Sequence, residues 1–184
     1  MIVANTKVLG PYERFAIWVQ GCQKKCSGCI SPDSRPLNGG FEVDLLRLAT
    51  EIISTPSIEG ITISGGEPYL QSTALAELVR IIKAEKDLGV IVYTGHDFDE
   101  IAENDLTKLC DIVIDGAYIE SLDDGLSLRG SSNQNVRLLT NRYEEVASEF
   151  YAKPGRKIEL RVNDGLTTLV GIPDKASLKL FENN

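Results

Sequence analysis

Four short apolar runs alternate along the chain with segments of helical periodicity, and this alternation limits the possible folds more than any other feature. The runs occupy residues 14–21, 60–64, 89–94 and 111–115, and residues 136–140 form a fifth candidate strand. Apolar strands separated by amphipathic helices predict parallel β-α-β units. Four or five units are too few for a closed eight-unit barrel, so we predict an α/β fold built as an open, partial β/α barrel with parallel strands.

The helical segments carry start signals that predict their boundaries. Residues 41–53 place apolar side chains on one helical face beginning with Phe41, which predicts a helix from that residue. Ser72 is the predicted N-cap of the next helix. Asp97 and Glu100 form a capping-box pair, which predicts a helix that continues to about residue 109.

The C-terminal part of the chain has a different pattern. The stretch "KIELRVNDGLTTLVGI" alternates apolar and polar residues on both sides of Asp164-Gly165, a typical turn pair. This pattern predicts a β-hairpin. We therefore divide the chain into a partial-barrel domain, residues 1–150, and a C-terminal hairpin extension, residues 151–184, packed on the same domain.

The charge balance excludes some classes of partner. Acidic residues outnumber basic residues by 27 to 19, so the net charge is −8. This sign argues against a nucleic acid or an anionic membrane as the main partner. The sequence has no long apolar run and no signal-peptide pattern at its start, which predicts a cytoplasmic protein. In that compartment thiols stay reduced, so clustered cysteines indicate metal binding or redox work.

Chemically reactive residues follow the predicted strands. The cysteine loop follows the first strand, "SGGEP" the second, "TGH" the third and "DGAY" the fourth. Parallel strands end on the same side of a sheet, so these four segments are expected to meet at one edge.

Cys22, Cys26 and Cys29 are spaced for binding an iron–sulfur cluster. Three thiolates can hold three irons of a [4Fe–4S] cluster and leave the fourth iron open for a non-protein ligand. The alternative is a zinc knuckle with His96 or Cys110 as its fourth ligand. Zinc motifs usually pair two short spacings, and Cys110 has the sequence context of a buried residue, so the cluster is favoured.

These stretches resemble the radical S-adenosylmethionine enzymes, whose hallmark is three cysteines with this spacing. The segments "GPYERFAIWVQGCQKKCSGC", "ISGGEP", "VYTGH", "VIDGAY" and "LRGSSNQ" are more narrowly similar to the activating enzyme of anaerobic ribonucleotide reductase and its relatives. They cover residues 10 to about 135. The chain departs from many radical enzymes at Gly28, where an aromatic residue usually precedes the last cysteine.

The resemblance implies roles for particular residues. "SGGEP" would hold the methionine end of S-adenosylmethionine, with Glu67 accepting from its ammonium group, and Thr94, His96 and Asp115 would lie near the ribose. In the ordinary interpretation, "SGGEP" and Thr94 belong to turns, His96 is a solvated side chain and Asp115 caps a loop. The cofactor-binding residues so implied are Gly28, Ile30, Ser64, Gly65, Gly66, Glu67, Thr94, His96, Asp115, Arg129, Ser131 and Asn133.

The resemblance also implies an activity. A reduced cluster would cleave S-adenosylmethionine to a 5′-deoxyadenosyl radical, which would take hydrogen from a glycine of a glycyl-radical enzyme. Two other functions stay open: radical modification of a peptide or small molecule, and electron transfer or binding without turnover. Four cations indicate a docking patch for an acidic reductant such as a flavodoxin: Lys24, Lys25, Arg14 and Arg35. The alternative is that they form only a solvated face.

Overall fold

The computed structural model describes residues 1–126, 128–151, 155–163 and 166–174. The fold is built on one six-stranded sheet, with the first four α-helices packed against one face and the fifth against the other. The strands are β1 (Ile2–Thr6), β2 (Arg14–Val19), β3 (Gly60–Gly65), β4 (Gly89–Tyr93), β5 (Ile112–Asp115) and β6 (Asn135–Leu138), followed by β7 (Ile158–Asn163) and β8 (Leu166–Gly171). The helices are α1 (Leu45–Ser54), α2 (Ser72–Glu85), α3 (Phe98–Ile101), α4 (Asp105–Lys108) and α5 (Glu144–Tyr151).

The sheet has the order β1-β2-β3-β4-β5-β6. Strands β2 to β5 are parallel, whereas β1 and β6 run antiparallel at the two ends of this order. The four predicted parallel strands therefore form, and the fifth candidate strand is an antiparallel end strand. The closure of this sheet into a partial barrel, and the division of the chain at residue 150, remain predictions.

Side chains on the strands alternate between two layers because successive residues of a strand point to opposite faces. The helix-facing layer contains Phe15 and Ile17 of β2, Ile61 and Ile63 of β3, and equivalent positions of β4 and β5, all packed on α1 and α2. The opposite face carries Ile91, Ile112, Ile114 and Tyr143. Burial of the parallel strands on both faces explains why they read as nearly continuous apolar runs.

The observed starts of α1 and α2 correct two predictions. α1 begins at Leu45, because Asp44 caps it by accepting from the Arg47 N–H (2.8 Å), and Phe41 lies outside the helix. Gln71 is the N-cap of α2, and Ser72 is its first helical residue.

The capping box of Asp97 and Glu100 is confirmed at the start of α3. The single helix predicted to run from there to residue 109 is wrong. Asn104 accepts from the Leu106 N–H (2.9 Å) and starts α4 as a separate helix.

Strands β7 and β8 pair in antiparallel register from Ile158–Gly171 to Asn163–Leu166, which confirms the predicted hairpin strands. The predicted turn residues, Asp164 and Gly165, lie outside the described residues. Val170 of β8 is fully buried and packs with Val3, Val8 and Leu9 near the β1 end of the sheet. No helix in the described part of the chain is long and apolar enough to cross a bilayer.

Candidate active site

A cavity of about 850 Å³ lies at the carboxyl ends of the parallel strands. All four predicted strand-end segments contribute to it, and the predicted residues in its lining are Cys22, Cys26, Cys29, Ile30, Ser64, Gly65, Gly66, Glu67 and Thr94. A second cavity of about 810 Å³ is lined by residues that precede β2 and β3, such as Glu13 and Glu59, and by residues of α5 and the segment before β7, and its described lining contains no cysteine. The chemistry-bearing residues therefore gather in the first cavity.

The cysteine loop is closed at its base by backbone hydrogen bonds. The Gly21 N–H donates to the Ser34 carbonyl (2.8 Å), and the Cys22 N–H donates to the Arg35 carbonyl (2.9 Å). These bonds join the two ends of the loop directly after β2. All three thiols are half-buried, and burial raises the pKa of the Cys22 thiol.

The "SGGEP" segment packs against the start of the cysteine loop through its glycines. The Gly66 N–H donates to the Val19 carbonyl and the Glu67 N–H to the Gly21 carbonyl, both at 2.8 Å. A Cβ atom at Gly66 would lie 2.2 Å from the Gly21 carbonyl oxygen, a distance that no real side chain occupies. Gly65 has a φ of +105°, which glycine adopts at little cost. The double glycine therefore lets two strand ends approach and brings Glu67 beside the thiols.

Glu67 is 2 % exposed, and its carboxylate organises the cavity wall. It accepts from the Thr94 hydroxyl (2.8 Å), the Gly95 N–H (2.9 Å) and the Tyr69 N–H (3.0 Å). A carboxylate offers about four acceptor positions, so capacity remains for one more donor. Glu67 thus links the segments after β3 and β4 in one hydrogen-bonded unit.

The other predicted cofactor residues lie outside the cavity lining, so their contact with a cofactor remains a prediction. Gly28 is packed against the Glu120 side chain, and the His96 imidazole is 2.8 Å from the Glu100 carboxylate. Asp115 follows Val113 by two residues, so it faces the helix side of the sheet, where Arg137 donates to it (2.7 Å).

Three of these residues hold the loop that follows β5. Arg129 pairs with Asp124, the Ser131 hydroxyl accepts from the Ile119 N–H (3.1 Å), and Asn133 donates to the Ala117 carbonyl (2.8 Å). Their position in the loop agrees with a loop-ordering role.

Sequence reasoning missed several residues that line the cavity, among them Trp18, Tyr93, Tyr118 and Gln134. Gln134 accepts from the Gly130 N–H (2.8 Å) and donates to the Gly116 carbonyl (2.9 Å), so it joins the two ends of the loop after β5. It is the last residue of "LRGSSNQ", and that motif was the available signal.

The predicted cationic patch is wrong in one member. Arg14 is fully buried on the sheet face opposite α1 and α2 and donates to the Thr62 hydroxyl (2.7 Å), the Tyr143 hydroxyl (2.8 Å) and the Ile61 carbonyl (2.7 Å). A buried guanidinium with these acceptors is a structural element of the core and is not available to a partner.

The donor set fits an iron–sulfur cluster with an open iron. The two candidates for a fourth protein ligand are placed elsewhere: the buried Cys110 thiol donates to the Leu106 carbonyl (3.1 Å), and His96 faces Glu100. Among the described residues, no three His, Cys, Asp or Glu side chains are placed to hold a single metal ion.

A family model described as "4Fe-4S single cluster domain" matches residues 8–137. This range runs from the segment after β1 into β6. It includes the described cavity lining except for Met1, residues of β8, and Ile172 and Pro173 after the hairpin. The chain belongs to this class of iron–sulfur proteins.

Curated relatives define the class more narrowly. The anaerobic ribonucleoside-triphosphate reductase-activating protein of Enterobacteria phage T4 is 33 % identical over 136 residues, covering 70 % of this chain and 86 % of the relative. The protein of the same name from Escherichia coli (strain K12) is 33 % identical over 144 residues, covering 72 % and 92 %. The pyruvate formate-lyase-activating enzyme of Staphylococcus epidermidis is 31 % identical over 143 residues, covering 69 % and 55 %.

The chain is therefore a member of the glycyl-radical activase branch of the radical S-adenosylmethionine enzymes. It is an oxidoreductase-type enzyme whose cofactors are a [4Fe–4S] cluster and S-adenosylmethionine. The alternatives of a zinc knuckle and of an electron carrier without turnover are not supported.

Proposed function

We propose that this chain activates an anaerobic ribonucleoside-triphosphate reductase by removing a hydrogen atom from a glycine of that protein. The observation that carries the proposal is the gathering of three thiols and the Glu67–Thr94 pair in one cavity at the strand ends. The relatives that carry the reductase-activating name match 86 % and 92 % of their own length. When bound, the cluster and S-adenosylmethionine supply a 5′-deoxyadenosyl radical by one-electron reductive cleavage.

The chain's own residues bind and orient the reactants. Cys22, Cys26 and Cys29 would each hold one iron. The remaining acceptor capacity of Glu67 would take the cofactor's ammonium group as a charge-assisted hydrogen bond. Gly65 and Gly66 let the backbone beside that carboxylate approach closely. The half-buried walls of the cavity limit the access of water to the reacting atoms.

The electron enters from a separate protein in this proposal. Lys24 and Arg35 line the cavity and Lys25 is exposed beside it, so three cations lie close to the thiols in a chain of net charge −8. Such an edge favours an acidic reductant such as a flavodoxin. A cytoplasmic location, where thiols stay reduced, agrees with three accessible cysteines.

The deciding experiment mixes the reduced, cluster-loaded chain with S-adenosylmethionine and the anaerobic reductase of the same organism. A glycyl doublet in the electron paramagnetic resonance spectrum is the expected result, and the Cys26→Ala variant is the matched control that gives none. If 5′-deoxyadenosine forms without a protein radical, and mass spectrometry finds a modified peptide instead, the substrate is a peptide and the activase proposal is wrong.

A further inference from the structure

Residues 36–43, here called the rim segment, connect the cysteine loop to α1 and expose large apolar side chains. Leu37 is 66 % exposed, Phe41 is 78 % exposed and Val43 is 43 % exposed. The helix that follows is buried through other residues, namely Leu48, Ala49 and Ile52. Single exposed apolar residues are ordinary, but three within seven positions beside an active-site cavity mark an interaction surface.

The rim segment is held against the cavity wall. Gln20 lines the cavity, and its side-chain nitrogen donates to the carbonyls of Asp33 (3.1 Å) and Pro36 (2.8 Å). A Cβ atom at Gly39 would lie 2.8 Å from that nitrogen, and one at Gly40 would lie 2.9 Å from Gln20 Cγ. These close approaches fix the position of Leu37 and Phe41 relative to the thiols, as a docking surface requires.

The charges beside the rim segment limit which kind of partner surface can cover it. Lys25 is exposed, and Lys24 and Arg35 line the cavity. None of the ion pairs among the described residues involves these three cations; the Glu100 carboxylate, whose pKa is lowered mainly by its hydrogen bond with His96, is also affected by the Lys24 charge. An apolar surface next to unpaired cations complements a polypeptide that carries large apolar side chains and a carboxylate.

We propose that the rim segment docks the protein substrate through the residues that flank its target glycine. This inference rests on the proposed function, because a substrate that is itself a protein needs a surface beyond the cavity to place one glycine beside the cofactor. Large apolar side chains of the substrate cover Leu37 and Phe41, and a carboxylate of the substrate meets Lys25. The protein substrate and the acidic reductant then both contact the cationic edge formed by Lys24, Lys25 and Arg35. The two proteins therefore bind one after the other.

The test measures binding of the anaerobic reductase by calorimetry to the cluster-loaded chain and to the Leu37→Ser/Phe41→Ser double variant. The expected dissociation constant of the variant is at least about tenfold higher. With dithionite as reductant, 5′-deoxyadenosine production without the partner is expected to be unchanged. The matched control is Leu138→Ser, because Leu138 is also exposed but pairs with Ile112 at the opposite end of β5.

Three outcomes would overturn the docking proposal. The double variant could bind the reductase as tightly as the wild type, it could lose only its reduction by flavodoxin, or it could change only self-association in analytical ultracentrifugation. Failure of the proposed function is a different result: the wild type then binds the reductase through Leu37 and Phe41 but produces no glycyl radical. Unchanged thermal unfolding of the double variant shows that the exposed substitutions have not altered the fold.

Discussion

The four cysteines occupy two different environments, and these environments determine their chemistry. Cys22, Cys26 and Cys29 are half-buried around the cavity. Cys110 is buried against α4, and burial raises the pKa of its thiol to about 12. A thiol that stays protonated is a poor metal ligand, because the thiolate is the form that binds.

Replacing each cysteine by alanine should separate these roles. Each of the variants Cys22→Ala, Cys26→Ala and Cys29→Ala is expected to lose its iron after anaerobic reconstitution, which should otherwise give close to four irons per chain. Cys110→Ala should retain the iron and lose about 1 kcal/mol of unfolding free energy, as a small buried side chain does. Iron and sulfide analysis measures the first effect, and loss of iron from Cys110→Ala would refute the ligand assignment.

Glu67 should contribute to both cofactor binding and the local structure. Glu67→Ala leaves the half-buried N–H groups of Tyr69 and Gly95 without their acceptor, at a cost of about 1 kcal/mol in unfolding free energy. It should also weaken S-adenosylmethionine binding by about 1.5–3 kcal/mol while the iron content is unchanged. Calorimetry on the cluster-loaded protein measures the affinity, and Glu67→Gln is the control of similar shape. An unchanged affinity would place the methionine end elsewhere.

From the sequence, the cavity location was correctly predicted for residues whose position depends only on where a strand ends. Cys22, Glu67 and Thr94 line the cavity because parallel strands end on one side. Asp115 also ends a strand, but its strand register turns it toward the helices, and one sequence cannot show which face a terminal residue takes. Arg14 was misassigned because its acceptors Thr62 and Tyr143 come from distant segments.

Among the elements, the hairpin of β7 and β8 and the loop after β5 form one wall of the cavity. Thr167 and Leu169 of β8 line the cavity together with Gly130 of that loop. Arg156, two residues before β7 begins, has a side chain that is only 4 % exposed. It forms a bidentate pair with Asp123 and donates to the Gly130 carbonyl (3.1 Å), so it attaches the loop to the hairpin.

Arg156→Ala should loosen this wall. The change removes the donor for the carbonyls of Leu126, Arg129 and Gly130 and breaks a nearly buried ion pair, for an expected loss of about 3 kcal/mol in unfolding free energy. Denaturant unfolding measures the loss, and Arg156→Lys should keep part of the stability. A loss below about 1 kcal/mol would show that the loop is held by other contacts.

Acid should weaken the attachment of the hairpin to β1. Burial by itself would raise the pKa of the Glu159 carboxyl, but hydrogen bonds from the Lys7 N–H (2.8 Å) and the Arg161 guanidinium (3.1 Å) hold that pKa below its ordinary value of 4.5. A depressed carboxyl pKa stabilises the fold above pH 4.5, and this stabilisation is lost as the pH falls through the folded-state pKa.

The measurement is thermal unfolding between pH 6 and pH 3, a range chosen about the ordinary carboxyl pKa. Glu159→Gln should lose less stability over this range than the wild type. Glu77→Gln, which changes an exposed carboxylate on α2, should follow the wild type. Parallel curves for all three proteins would contradict the assignment of the acid effect to Glu159.

Boundaries of elements were harder to predict than their existence. The apolar pattern showed β2 to β5, α1 and α2, because these strands are buried on both faces and these helices on one face. β1 was missed because it is a short end strand with Asn5 at a φ of +58°. The helix expected to reach residue 109 breaks where Asn104 caps a second helix, and nothing in the apolar pattern marks that restart.

At the scale of the whole molecule, an acidic protein presents a cationic edge next to its thiols. The net charge of −8 repels an acidic reductant at long range, whereas Lys24, Lys25 and Arg35 attract it close to the cavity. Surface charges act over a Debye length of about 8 Å at physiological ionic strength. The encounter should therefore depend on which surface the reductant approaches.

Lys25→Glu should slow reduction of the cluster by flavodoxin several-fold at low salt, and the difference should shrink as salt is added. Stopped-flow spectroscopy measures the rate constant. Lys108→Glu makes the same change in net charge on α4, before β5 and away from the thiols, and serves as the control. Equal slowing in both variants would mean that total charge matters and the cationic edge does not.

The backbone bonds at the base of the cysteine loop bear on which substitutions the loop can tolerate. Because Gly21 and Cys22 are tied to Ser34 and Arg35 by main-chain atoms alone, these bonds do not depend on the side chains of Ser34 and Arg35. Substitutions at these two positions should therefore leave the loop closed. The charge beside the thiols can then vary among relatives while the loop keeps its shape.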